Sequence, residues 1–272
     1  MMGSVQPVGE LLRTWRQRRR MSQLDLACEA EISTRHLSFL ETGRSQPSRE
    51  MLLHLAEQLD VPLRDRNTLL IAAGYAPVYP ERRLDDPAMA AARKAIDLVL
   101  AGHEPCPALA VDRHWILVAA NRALGPLLAG VDEALLRPPS NVLRVSLHPD
   151  GLAPRIANLA EWRAHVLHKL RHQIEVSADP VLADLLQELS ALPAPEGSRA
   201  DDADPAAQHG GVAVPFRLAT EAGVLSFLST TTVFGTPVDV TLSELAVESF
   251  FPADAATEAI LRAGLRIRSS PV

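Results

Sequence analysis

The stretch Met21–Arg44, MSQLDLACEAEISTRHLSFLETGR, decides how the N-terminal part of the chain folds. Ser22 followed three residues later by Asp25 spells a capping box, and Ser33 supplies a second N-cap. Gly43 is placed to end the second helix in a left-handed cap. Leu26, Ala27, Ala30, Ile32, Leu37 and Leu40 recur at helical spacing, and Ala27 is small enough to let two helices approach closely. The stretch reads as two short helices joined by a tight turn, the spacing of a helix-turn-helix.

On a helical wheel Leu37 and Leu40 point inward, which leaves Arg35, Ser38 and Phe39 outward or at the rim and Thr34 at the exposed start. A recognition helix presents such groups to the major groove: Arg bonds guanine, Thr and Ser bond either base, and an apolar group meets a thymine methyl. Gln23 stands at the first turn of the preceding helix, where free backbone N–H groups and an amide suit a phosphate. Arg44, just past the second helix, is a further candidate for a phosphate. The competing reading is an ordinary all-α protein in which Phe39 covers a neighbouring helix. The stretch resembles the DNA-binding motif of Xre-type, lambda-repressor-like regulators, through its initial Ser-Gln, its small residue in the first helix and a second helix ending Leu-Glu-x-Gly. The likeness covers about residues 8 to 76 and implies Gln23, Thr34 and Arg35 as contacts to double-stranded DNA. Glu31 stands where that family usually carries Gly, and a left-handed Glu costs about 1 kcal/mol.

Working outward, Val8, Leu11, Leu12 and Trp15 form an amphipathic helix that ends in Arg16–Arg20, RQRRR, expected as a solvated end or, beside a DNA-binding motif, as a contact to the DNA backbone. Pro47-Ser48 opens a helix through Leu59, and Leu63–Ala73 makes a fifth before Gly74. Residues 1–76 are thus expected as an all-α domain. They carry a formal charge of +1 against −7 for the remainder, within 272 residues and a net −6. Such a balance suits specific recognition and argues against indiscriminate coating of nucleic acid. Cys28 and Cys106 lie in no CxxC pattern, so neither a disulfide nor a zinc site is expected. The N-terminus lacks a signal-peptide core and no 18-residue apolar run occurs, which makes the cytoplasm the expected compartment, with no membrane partner.

Residues 77–105 read as a Pro-rich connector followed by a linking helix from Asp86-Pro87 through Leu100, placed to transmit a signal or make a dimer contact. Residues 106–272 form the second domain. Strands flank a turn at Asp112–His114, and a helix is expected from Asn121. Helical patterns follow at Asp132–Leu136, Asn141–Leu147, Pro154–Val176 and Pro180–Leu192. Pro193–Gly211 lacks apolar periodicity and reads as a loop, and strands are expected at Val212–Ala219, Val224–Phe234 and Leu245–Phe251 before a helix over Asp254–Leu265. The whole is α+β: a five-helix domain, then an antiparallel sheet of about five strands with packed helices.

That order resembles a PAS-like sensor, and the full chain is similar to Xre regulators with a MmyB-like ligand-binding domain. The carrying residues are Ala110–Trp115, Ala119–Ala123, Asn141–Arg144 and the Gly223–Phe234 strand. The resemblance implies a pocket between sheet and helices for a small apolar, fatty-acid-like effector. Candidate lining residues are Asn141, Arg144, His148, Trp162 and His165, with Arg144 or His148 facing a carboxylate head. Each has a structural alternative: Asn141 as a helix cap, Trp162 as core, Arg144 paired with an acidic neighbour. A metal or hydrolase site built on His165, His168 and His172 is disfavoured, because there is no HExxH and no carboxylate at ligand spacing. With no P-loop, GxSxG or GxGxxG, no catalysis and no cofactor are expected. The expectation is a homodimeric transcription regulator reading half-sites one helical turn apart, its effector acting through the linking helix. The alternative is a regulator whose C-terminal domain is a ligand-free dimerisation module.

Overall fold

The computed structural model describes residues 6–193, 214–235, 237 and 239–268. In chain order the helices are α1 (Val8–Arg18), α2 (Gln23–Glu29), α3 (Thr34–Glu41), α4 (Arg49–Gln58), α5 (Leu63–Ala72) and α6 (Ala90–Gly102). Strands β1 (Ala108–Val111) and β2 (Leu117–Ala120) precede α7 (Glu133–Leu136), α8 (Val142–Leu147), α9 (Leu159–Ser177) and α10 (Pro180–Ala191). Then come β3 (Phe216–Thr220), β4 (Gly223–Val233), α11 (Val240–Ser243), β5 (Ala246–Pro252) and α12 (Ala255–Arg268). The chain divides into two compact units. One holds residues up to Arg82 together with Thr236–Ser243; the other holds Arg83–Gly235 and the chain from Glu244.

In the first unit the caps fall where the sequence places them. The Asp25 N–H donates to Ser22 Oγ (3.1 Å) and the Ser22 N–H to Asp25 Oδ2 (2.7 Å), closing the capping box. Ser33 and Ser48 receive the N–H groups of His36 and Met51. Glu31 adopts φ 53° in the turn and Gly43 φ 70° after α3. Leu12, Leu26, Leu37, Leu40, Leu52, Leu55 and Leu59 are all fully buried. Gly9 lets α1 lie on the end of α3: a Cβ there would stand 2.4 Å from the Leu40 carbonyl oxygen. The basic run does not behave as a solvated end throughout. Arg16 is buried against Glu41 at the end of α3, and Arg19 donates to the carbonyls of Leu59 and Asp60 (both 2.8 Å) just past α4, because two other elements end beside α1 and present acceptors to these side chains. The short α11 belongs to this unit as well. Val240 is fully buried, its N–H donates to the Pro80 carbonyl (2.9 Å), and Asp239 pairs with Arg82 (3.3 Å).

In the second unit the five strands form one antiparallel sheet in the order β2-β1-β5-β4-β3. The register sets Leu109 beside Glu248 and Glu248 beside Thr231. α6 packs on β1, so the linking helix lies in this unit while residues 77–82 lie in the first. The helix expected from Asn121 does not form. Asn121 is buried, accepts from the Ala108 N–H and donates to the carbonyls of Leu100 and Cys106, which fixes a turn. Only a 3-10 turn over Gly125–Leu128 follows, consistent with Gly-Pro at its start. The long helix begins at Leu159 rather than Pro154, because Ile156 is drawn out to bridge Leu218 and cannot be helical. Residues 194–211 of the expected loop, and Val212–Ala213 at the head of the expected strand, lie outside the described residues.

Candidate functional site

Two places in the chain gather side chains that point to a ligand. The first is the outer face of α3. Leu37, Leu40 and Glu41 face inward, which leaves Thr34 and Arg35 exposed and Ser38 and Phe39 half-buried. The Arg35 guanidinium lies 5.4 Å and the Arg44 guanidinium 5.9 Å from the Phe39 ring centroid. Phe39 therefore steadies two cations by cation–π attraction, and the exposed face becomes a positive edge around an apolar centre. Behind it, Arg16 grips Glu41 through two bonds, Nε to Oε1 (2.6 Å) and Nη2 to Oε2 (2.9 Å), and donates a third to the Met21 carbonyl. Gln23 donates to the same Oε2 (2.8 Å). Burial acts to raise the Glu41 carboxyl, but the bonds from Arg16 and Gln23 outweigh it and hold the group below its ordinary range. One charge cluster thus ties α1, α2 and α3 together and fixes the angle at which α3 is presented. Gln23, read from sequence as a phosphate contact, has one amide N–H committed to Glu41 and one left over.

The second is a cavity of ≈ 110 Å³ between the sheet and the helices α8 and α9 of the second unit. The figure is somewhat below the roughly 150 Å³ apolar cavity that accepts benzene in another protein, a size on the scale of a ring or short alkyl segment. Its walls are aliphatic and aromatic: Leu109 and Leu117 from β1 and β2, Leu127 and Leu128 from the 3-10 turn, Val142 and Val145 from α8, Phe216 and Phe250 from the sheet. Trp162 donates its indole N–H to Ser146 Oγ (2.9 Å) and stacks obliquely on Phe216 and His165. Trp115, held at φ 65°, donates to Gln173 Oε1 (2.8 Å). The buried indoles are thus satisfied and present only their apolar bodies.

Of the five ligand candidates, Trp162 and His165 line this cavity. The other three are used elsewhere. Asn141 caps α8, accepting from the N–H groups of Leu143 and Arg144 (both 3.1 Å) and donating to the His114 carbonyl. Arg144 forms a two-bond pair with Glu188 on α10 (2.6 and 2.7 Å), and its guanidinium lowers the Glu188 carboxyl. His148 accepts from the Asp150 N–H through Nδ1 (3.1 Å). The structural alternative therefore accounts for Asn141 and Arg144. The charged lining residues that sequence reasoning passed over are Lys169 and Glu248. Both carried a signal. Lys169 follows Trp162, His165 and Val166 at helical spacing on one face, and Glu248 shares a strand face with Ala246 and Phe250. His168 and His172 are exposed, and no group of three or more His, Cys, Asp or Glu among the described residues is placed to hold a metal. Both cysteines are free, and burial pushes the Cys106 thiol up. No described helix is long and apolar enough to cross a membrane.

Two family models match the chain. A helix-turn-helix domain covers residues 7–69. The ligand-binding domain of MmyB-like transcription regulators covers residues 92–263, more than half of the chain. A comparison with curated proteins gives no match.

Proposed function

The chain belongs to the MmyB-like transcription regulators, with a helix-turn-helix DNA-binding region followed by a ligand-binding domain, and from that membership and its two sites we infer how it works. The protein acts in the cytoplasm as a homodimer. Each α3 enters the major groove of one operator half-site, with half-sites about one helical turn apart. Thr34, Arg35 and Ser38 read base edges, Phe39 meets a thymine methyl, and Arg44 and the uncommitted N–H of Gln23 hold phosphates. The second domain, PAS-like in its strand order, holds a small apolar effector with a fatty-acid-like alkyl chain. Its occupancy changes operator affinity to the extent that the effector prefers one of two arrangements of the dimer. The observation that carries the sensor reading is the cavity itself, walled by apolar side chains whose polar atoms are turned to other partners.

Native mass spectrometry of the purified full chain, followed by denaturation and organic extraction, tests the sensor half. A co-purified apolar molecule whose removal shifts operator affinity supports it. A clean mass at dimer, together with operator affinity indifferent to added alkyl compounds, favours a ligand-free dimerisation module. For the DNA half, Arg35→Ala is expected to cost about 1–3 kcal/mol at one base position and to relax specificity there. Equal binding of all operator variants by parent and variant would sink the assignment of α3.

A further inference from the structure

The polar end of the cavity has a charge arrangement that bears on the head of its ligand. Lys169 and Glu248 hold each other, Nζ to Oε1, at 2.9 Å. The Thr231 hydroxyl donates to the same Oε1 (2.7 Å) and accepts from Lys169 Nζ (3.0 Å). The Lys169 ammonium stands 4.7 Å from the Trp115 ring centroid, and the Glu248 side chain is 7% exposed. The opposite charges at this end therefore cancel. Oε2 of Glu248 makes no hydrogen bond among the described residues, and neither does the hydroxyl of Ser229, which lines the same cavity. Lys169 keeps a third N–H.

We propose that this end selects an uncharged hydrogen-bonding head, a primary alcohol or amide on an alkyl chain, over the carboxylate of a fatty acid. The inference rests on the reading of the cavity as the effector site. A ligand carboxylate would bring a second negative charge beside Glu248 in an apolar-walled space, with one ammonium to share between them. Taking Lys169 for itself, it would leave Glu248 buried and unpaired, the costly way to break such a pair. A hydroxyl or amide avoids both. It donates to Oε2 and accepts from Ser229 or Lys169, and the site remains neutral.

The test uses the full chain at about pH 8, where a free carboxylic acid such as octanoic acid is ionised. Octanol, octanamide and octanoate are titrated by calorimetry and by displacement of an apolar fluorophore. The parent protein is expected to bind octanol and octanamide at least about tenfold more tightly than octanoate. Glu248→Gln removes the carboxylate, leaves Lys169 without its counter-charge, and is expected to invert the order. Octanoate binding the parent as tightly as octanol overturns the head-group inference while the effector reading stands. Failure of all three to bind the parent overturns both. The parent comparison needs no variant, so it holds whether or not the Glu248 variant folds.

Discussion

The two units draw on the same aliphatic residues and use them differently. In the DNA-binding unit eight leucines from α1–α5 and the turn after α4 are closed off at 0% exposure, and the polar component of the interior is the two-bond Arg16–Glu41 pair, which Gln23 braces from the edge. In the ligand-binding unit Leu127, Leu143, Leu152 and Trp162 stop at 7–8% exposure around a space they do not fill. A reader of DNA must hold one helix at one angle, so its core leaves no slack. A ligand-binding domain needs somewhere for its ligand to go, so its core forgoes some packing energy, and the cavity is the visible form of that concession.

The comparison is broken most directly at the buried charges. Arg16→Ala leaves Glu41 buried without its partner and is expected to destabilise the first unit by about 3–5 kcal/mol. Replacing the pair together, Arg16→Met with Glu41→Leu, is expected to be near neutral in denaturant melts. A large loss in the double variant would show that the pair carries stability that apolar packing cannot replace. Next comes packing: Leu40→Ala is expected to cost about 2–5 kcal/mol, because a closed core collapses poorly around the hole. Leu143→Ala, at a buried residue lining the existing cavity, is expected to cost about 2 kcal/mol, the low end of that range, since one side of that residue already lacks close contacts. Equal losses at the two sites would mean that the cores are not packed differently.

Acid sharpens the same contrast. Glu41 has a folded pKa below its unfolded one, so its pairing contributes fully above the unfolded value of about 4.3 and is lost as pH falls through the folded value. Hydrogen exchange read by mass spectrometry is expected to show α1–α5 loosening over that interval in the parent and a flatter acid limb in the Met/Leu double variant. The smallest stability change is expected from filling the void. Val166→Phe adds volume where there is room, so the melt should move by less than about 1 kcal/mol while affinity for octanol falls steeply. A strongly destabilised Val166→Phe protein would indicate that the cavity is smaller than it looks.

The helix-turn-helix was legible because its signals are local. Ser22 with Asp25, Ser33 with its following helix, and the turn at Glu31 each need only three or four neighbouring residues. The sheet was legible from β-branched runs and their turns, to within a few residues. What failed was longer in range. Arg16 looked like one more member of a basic run, and nothing in RQRRR says that Glu41, 25 residues on, will reach it. Arg144 and His148 were put forward for a ligand on their chemistry, but their partners Glu188 and Asp150 decide where they point. Asn121 resembled a helix opener, and three backbone groups claimed it instead. At the cavity, helical spacing marked Lys169 and strand alternation marked Glu248, yet their pairing across α9 and β5 is a property of the assembled unit.

The return of residues 239–243 to the first unit has a consequence for how this protein can be taken apart. A gene fragment ending at Arg82 would encode every helix of the DNA-reading motif and still omit the strip that brings Val240 to Pro80 and Asp239 to Arg82. The reader is not a bead on a string. Its boundary is discontinuous, so recombination at the junction after Arg82 transfers an incomplete module and leaves the donor with an orphaned loop. Successful domain exchange with this chain would have to carry both pieces or supply a substitute for the second.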